Sequence, residues 1–367
     1  MQIHRRAFPQ CLVLVALLAM AAALPALAEF DKRQSFSTDS LTVNNLIGEV
    51  RVSGHAGSGF EVLVQVRGSD ASPDLIEVST RDGASPELTV AFPIESERRY
   101  VYPALGAGSR TSFTFNREGG DSWLAQLIGA VGSRKITVRG SGSGLEVWAD
   151  IEIKVPAGGT LSVNHGVGEI NAVDVRGDLN LDTHTGTIEV ARVEGDVFAD
   201  TGAGHVNLSG VTGELLVDTG SGHVTVEECS GPKILVDTGS GDVTFRAVET
   251  PELLVDTGSG HVRALAIRAD SALIDTGSGE VELRLDRMGE GRFEVDTGSG
   301  RVTLALPADA SADVSADTGS GGIHLDLDGP VQILHKDDDE LRFRIGGGAA
   351  HVVLDTGSGS IRIVRAD

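Results

Sequence analysis

The chain has 367 residues, 40% of them apolar, with 48 Gly, 11 Pro and only 4% aromatics, and 53 acidic against 30 basic side chains leave a formal charge of −23. So acidic a chain does not bind nucleic acid or anionic lipid through its net field, because phosphate contacts need Lys and Arg. Few aromatics argue against a long stacking cleft, and the ordinary apolar share, regularly placed, argues against disorder.

The first predicted element is an address. His4, Arg5 and Arg6 precede an apolar run from Cys11 to Leu24, followed by Pro25 and Ala26-Leu27-Ala28. A basic start, a short apolar stretch and a small-x-small site define a secretory signal peptide over 1–28, with the mature chain starting at Glu29. Its removal takes away Arg5 and Arg6, so 28 basic against 53 acidic side chains give −25. Only Cys229 then remains, which forbids an internal disulfide. No later segment holds 18 uninterrupted apolar residues, so no transmembrane segment is expected in the mature chain. The expected location is periplasmic, or secreted to the cell surface.

Residues 29–160 read as an N-terminal cap and first coils, with strand-like alternation at Leu41–Val52, Phe60–Val66, Leu75–Ser79, Leu88–Phe92 and Ile151–Val155. Between about 94 and 144 the alternation breaks into Gly, Ser and Arg, which predicts an inserted loop. One short helix is predicted within it, from Asp121 to Val131, with Trp123, Leu127, Ile128 and Val131 on one face.

From 161 to 367 one repeat organises the chain. Asp-Thr-Gly-Ser-Gly begins at Asp218, Asp237, Asp256, Asp275, Asp296, Asp317 and Asp355, with a close copy at Asp200 and looser ones at Asn164, Asp182 and Asp337. Successive starts lie 18 to 21 residues apart, and an isolated copy stands at Asn44. So narrow a period predicts a stacked array in which each unit is one coil. Apolar residues recur three and one before each start and six and eight after it, as in Leu215, Val217, Val224 and Val226. Alternation on both sides of a Gly-rich break means strand, corner, strand, with one face inward. A third inward point lies eleven after the start, at Val175, Val193, Val211, Cys229, Val248 and Ile267, so Cys229 reads as core. The predicted fold is all-β: a parallel β-solenoid with an N-terminal cap and one inserted loop or short helix. Rungs spaced roughly 4.8 Å apart would make a rod on the order of 50 Å long. The run from Lys336 to Glu340 reads as a degenerate rung with an exposed acidic corner.

Repeated Asp-Thr-Gly-Ser-Gly-x-Val, preceded by Val-Pro-Ala-Gly-Gly-Thr-Leu-Ser-Val at 155–163, resembles the bacterial "putative adhesin" β-strand-repeat family of unknown function, over roughly Ser37 to Val364. The resemblance implies an exported β-solenoid with no established catalytic residues.

Candidate sites follow from the outward columns. Asp-Thr-Gly-Ser also spells the active-site loop of pepsin-like proteases, but those need one close carboxylate pair in a deep cleft, whereas this motif recurs on every coil with similar flanks. A turn role is favoured, with Asp accepting backbone N–H bonds and Gly permitting a positive φ. Stacked carboxylates repel by roughly 0.8 kcal/mol per pair in water, a load that calcium between rungs could relieve. No cofactor is otherwise expected. Five after each start run His205, His223, Asp242, His261 and Glu280, which are zinc or copper ligand types. Arg301, Gly322 and Ser360 in the same slot favour a solvated polar face, and no metal site is assigned. Two before the starts stand Phe198, Leu216, Leu235, Leu254 and Leu273, an outward apolar stripe over five rungs. Such a patch is either covered by the inserted loop or docks a partner: an envelope protein, a glycan or a second copy. No catalytic residues are identified. The functional expectation is an exported non-enzymatic scaffold or adhesion-like binding module. The alternative is a carbohydrate-active β-helix enzyme, which would need one rung where Arg and carboxylates gather beside aromatics. The nearest candidate in sequence is Lys336 to Arg344.

Overall fold

The computed structural model describes residues 29–83, 85–115 and 134–366. The signal segment and the helix predicted at Asp121–Val131 lie outside these residues. Among the described residues, twenty-six strands form one continuous hydrogen-bonded sheet wrapped around a single apolar core, and four more form a small second sheet. Almost every inward position is Val, Ile, Leu, Ala or Phe and fully buried, because β-branched and aliphatic side chains pack well on a pleated face. The predicted inward columns are all buried from Val175 to Ile267, and Cys229 is 1% exposed. The fold is the expected all-β solenoid.

Equivalent corners stack in parallel register. Asn44 pairs with Asn164, Asn164 with Asp182, and the series continues through Asp200, Asp218, Asp237, Asp256 and Asp275 to Asp296. The isolated Asn44 copy is therefore the first rung. After Asp296 the order departs from the sequence. Asp296 pairs with Asp355, and Asp355 pairs on its other side with Asp317. The chain leaves one slot empty when it lays down the Asp317 rung, turns back, and fills that slot with its last rung.

That return path corrects the reading of 336–340. Val331–Lys336 and Glu340–Ile345 form an antiparallel hairpin, and the second strand runs antiparallel to Ala312–Thr318. Lys336 to Glu340 is the hairpin turn and not a rung corner. Phe343 and Ile345 still point inward, on a strand of opposite direction. Antiparallel strands also close the other end, where Phe30–Phe36 pairs with Phe60–Arg67 and Glu77–Arg81 with Glu87–Ala91. Strand direction thus reverses at both ends of the parallel ladder.

The step from eight to eleven after the corner, three residues where two would keep alternation, has a backbone cause. The residue ten after the corner is left-handed in six consecutive rungs, from Asp174 through Arg192, Gly210, Glu228 and Ala247 to Ala266, with φ between 52° and 62°. Each makes a bend that turns the next residue back into the core. Five of the six are not glycine and each bears a local cost of about 1 kcal/mol. In the Asp275 rung the register shifts, Leu285 itself turns inward, and the left-handed residue disappears.

The segment read as an inserted loop carries the second sheet: Arg99–Val101, Arg110–Phe115, Arg134–Arg139 and Leu145–Glu146. Tyr100, Phe113, Ile136 and Val138 are buried, and they join the main core. Alternation was hidden there because these strands are short and separated by Gly-rich turns.

Candidate functional site

The corner is built by its threonine and its last glycine. Thr201, Thr219, Thr257, Thr276, Thr297, Thr318 and Thr356 are fully buried, and each hydroxyl donates to the last-glycine carbonyl of the rung below, as from Thr276 to Gly260 at 3.0 Å. In the later rungs the same oxygen accepts the N–H of its own last glycine, from Gly279 to Thr276 at 3.1 Å. His165 takes the threonine's place in the second rung, its Nε2 2.9 Å from the Gly48 carbonyl. Burial pushes the His165 imidazole down to about 4, so it stays neutral near pH 7. The threonine thus performs the turn bonding expected of the aspartate. Glycine is required for close approach: a Cβ on Gly260 would lie 1.7 Å from the Gly241 carbonyl oxygen.

The corner aspartates point outward and stack on one another. Asp182 is pushed up to about 6, first by burial and then by Asp200. Burial and neighbouring carboxylates raise Asp200, Asp237 and Asp296 as well. For Asp182 the sign is clear. Below its unfolded value of about 4 the carboxyl is neutral in both states, and stability is lost as pH rises through about 6. Asp182→Asn is therefore expected to stabilise the chain by roughly 1–2 kcal/mol at pH 7.5, after discounting for partial exposure, and to gain nothing at pH 3.5. Thermal melts at the two pH values check this, and an equal gain at both would contradict it.

The polar column five after each corner is a bonding ladder. The backbone N–H of His223 donates to His205 Nδ1 at 3.1 Å, Asp242 to His223 Nδ1 at 3.0 Å, His261 to Asp242 Oδ1 at 2.9 Å, and Glu280 to His261 Nδ1 at 2.9 Å. The His205 and His223 rings stack with centroids 5.2 Å apart. Each side chain saturates a backbone donor of the next rung, and that explains why acceptors recur there. Among the described residues no three His, Cys, Asp or Glu side chains group closely enough to hold a metal ion. Cys229 lies in the core, where the Val211 N–H donates to its Sγ at 3.4 Å and burial pushes the thiol up.

The apolar stripe is in exact cross-strand register: Phe198 beside Leu216, then Leu235, Leu254 and Leu273, with Glu294 next. Four intervals span about 19 Å. Phe198 is 37% and Leu273 43% exposed, while the three leucines between them are half-buried by their neighbours. Asp196, Glu214, Lys233 and Glu252 flank the stripe on one side and the corner aspartates on the other.

Sequence reasoning missed one convergence. The inserted sheet rests on the first corners, where Thr111 Oγ1 lies 3.1 Å from Thr185 Oγ1 and the Phe113 and His184 rings are 4.9 Å apart. There Tyr102 and Trp148 meet with ring centroids 5.8 Å apart, beside Glu49, Arg51, Asp150 and Glu169. Asp150 Oδ1 accepts the Glu49 N–H at 2.9 Å, and its Oδ2 accepts Trp148 Nε1–H at 3.3 Å. Arg51 Nε donates to Glu49 at 2.7 Å. Arginine and carboxylates beside aromatics are gathered here, not at Lys336–Arg344. The signal lay in the polar column itself, which reaches Glu169 and Glu49 when followed upstream from His205.

A repeated corner, stacked in parallel and closed at both ends by reversed strands, defines a β-solenoid of the toastrack type. The chain belongs to the Toastrack DUF4097 family, whose model matches residues 132–364. Three solved structures are similar over 92% of this chain: a "putative adhesin" from Parabacteroides distasonis (13% identity, 97% of that chain, TM-score 0.40), one from Bacteroides fragilis (11%, 97%, 0.34), and a "putative cell adhesion protein" from Clostridium sporogenes (11%, 100%, 0.20). A search of curated proteins gives no match. Among the described residues no helix is long and apolar enough to cross a membrane.

Proposed function

We propose that this chain is an exported, non-enzymatic binding module of the cell envelope, adhesion-like in use, whose contact face is the stripe from Phe198 to Leu273. The observation that carries this reading is five apolar side chains in register on the outside of a rigid sheet, exposed at both ends. The borders are net acidic, with the corner aspartates on one side and Asp196, Glu214 and Glu252 outnumbering Lys233 on the other, so its partner is an envelope protein with an apolar line edged by basic side chains. A second copy fits poorly, since stripe against stripe would set acid against acid. The names of the similar structures agree with an adhesive role, and the signal segment read in residues 1–28 supports export.

Leu235→Asp with Leu254→Asp tests the reading on the full mature chain. Both side chains face outward, so the fold should persist. Loss of two apolar contacts worth roughly 1.5–3 kcal/mol each should lower retention on purified envelope fragments by tenfold or more. Unchanged retention would remove the stripe from the account.

The carbohydrate-active alternative draws on the carboxylates beside Tyr102 and Trp148. New reducing or unsaturated ends, released from envelope polysaccharide by wild-type protein but not by Glu169→Gln, would establish it.

A further inference from the structure

The mature chain is poor in tyrosine and tryptophan, yet Tyr102 and Trp148 share one site. They stand where the short turn Pro103–Leu105 of the inserted segment faces the first three corners. A cavity of about 270 Å³ opens there, lined by Glu49, Tyr102, Leu105, Glu169 and Thr187 among others. That is below the roughly 300–1,000 Å³ of pockets for drug-sized ligands, and it suits a single sugar ring.

Of the polar groups lining this space, Glu49 and Thr185 are bonded to Arg51 and Thr111, but three others have no partner among the described residues. Tyr102 is 6% exposed, and its hydroxyl makes no hydrogen bond to any described residue. That hydroxyl is not among the buried unpartnered atoms, so it opens onto the cavity, where a ligand oxygen can accept from it in place of water. The Glu169 carboxylate, unlike the side chains further along its column, accepts no backbone N–H from the next rung and joins no ion pair among the described residues. The Thr187 hydroxyl is likewise unengaged there. One wall is apolar, made by Leu105 and by Tyr102 backed by Trp148. Burial, with Asp150, Glu49 and Glu169 nearby, keeps the Tyr102 hydroxyl protonated and able to donate. Arg51 is paired with Glu49, so the surroundings remain net negative.

We propose that this cavity binds one pyranose unit of a glycan, neutral or amine-bearing but without an acidic group, with its C–H face on Tyr102 and Leu105 and its hydroxyls on Glu169, Thr187 and the Tyr102 hydroxyl. A donor, two acceptors and an apolar wall in one small space match the alternating faces of a sugar ring. A carboxylated or sulfated sugar would meet Glu49 and Glu169 with like charge. The cavity lies across the corner from the stripe and does not depend on it.

The test is saturation-transfer NMR and calorimetry on the full mature chain, with the methyl glycosides of glucose, galactose and mannose, with glucosamine, and with glucuronic acid. At least one neutral or amine-bearing sugar should bind at millimolar concentration, with glucuronic acid about tenfold weaker. Tyr102→Phe, which removes only the hydroxyl, and Glu169→Gln should each weaken that binding about tenfold at unchanged melting temperature. Leu235→Asp should leave it unchanged. Binding of none of these sugars, equal binding of glucuronic acid, or indifference to Tyr102→Phe and Glu169→Gln would overturn the proposal, while the stripe would stand on its own assay.

Discussion

Gly260→Ala should abolish the native stack or lower its stability by roughly 3 kcal/mol or more. The added methyl would lie 1.7 Å from the Gly241 carbonyl oxygen, 2.5 Å from its carbon and 2.9 Å from Thr257 Oγ1. None of these can retreat. The Gly241 carbonyl accepts the Thr257 hydroxyl at 3.3 Å, and Thr257 Oγ1 accepts the Gly260 N–H at 3.1 Å. Separating two rungs enough to admit a methyl would break ladder bonds on both sides of the corner. Gly322→Ala is the control, since it sits one residue beyond the equivalent Gly321. At Gly321 a Cβ would meet the Gly359 oxygen at 1.7 Å, but at Gly322 the nearest atom is the mobile end of His324 at 3.6 Å. Chemical unfolding of the two variants should show a large loss for Gly260→Ala and almost none for Gly322→Ala. Equal effects would mean that the corners are not in contact through their glycines.

This steric rule also separates what could be read from the sequence from what could not. The inward columns, the corner and the core position of Cys229 were legible because each rung repeats the same demand, and repetition makes a weak local signal strong. Asn44 and Asp337 were harder, since both look like imperfect starts. The glycine four residues on decides between them: Asn44 has Gly48 and forms a rung, whereas Asp337 has Leu341 and forms a turn. Rung order was not legible. Asp296, Asp317 and Asp355 carry the same pentapeptide, so any of them can sit on any other, and only the hairpin at 331–345 determines which slot the last one fills. The cleft was hidden for a different reason. Glu49, Tyr102, Trp148 and Glu169 lie up to 120 residues apart, on the first two rungs, on an insertion whose strands are too short to show a period, and at the start of the main-sheet strand that follows it. The stripe, by contrast, was fully visible, because parallel register turns a sequence column into a spatial line.

The filled slot has an energetic consequence. In a stack laid down in sequence order the last rung is an end and frays, because it has a neighbour on one side only. Here Val352, Leu354, Ile361 and Ile363 are buried between rungs that precede them in the chain, and the Asp317 rung lies further out. Residues 350–365 therefore lock together two rungs that precede them in the chain.

Cysteine cross-linking tests that arrangement and the parallel register beneath it. In a Cys229→Val background, outward residues paired across adjacent rungs lie roughly 4.8 Å apart, within disulfide reach, while those two rungs apart lie at about twice that, beyond it. Glu294 is in register with Val353, and Val353 with Ser315. Glu294→Cys with Val353→Cys should oxidise to an intrachain disulfide, as should Ser315→Cys with Val353→Cys, whereas Glu294→Cys with Ser315→Cys should remain reduced. A bridge in the last pair and in neither of the others would restore the sequential order and contradict the fold described above.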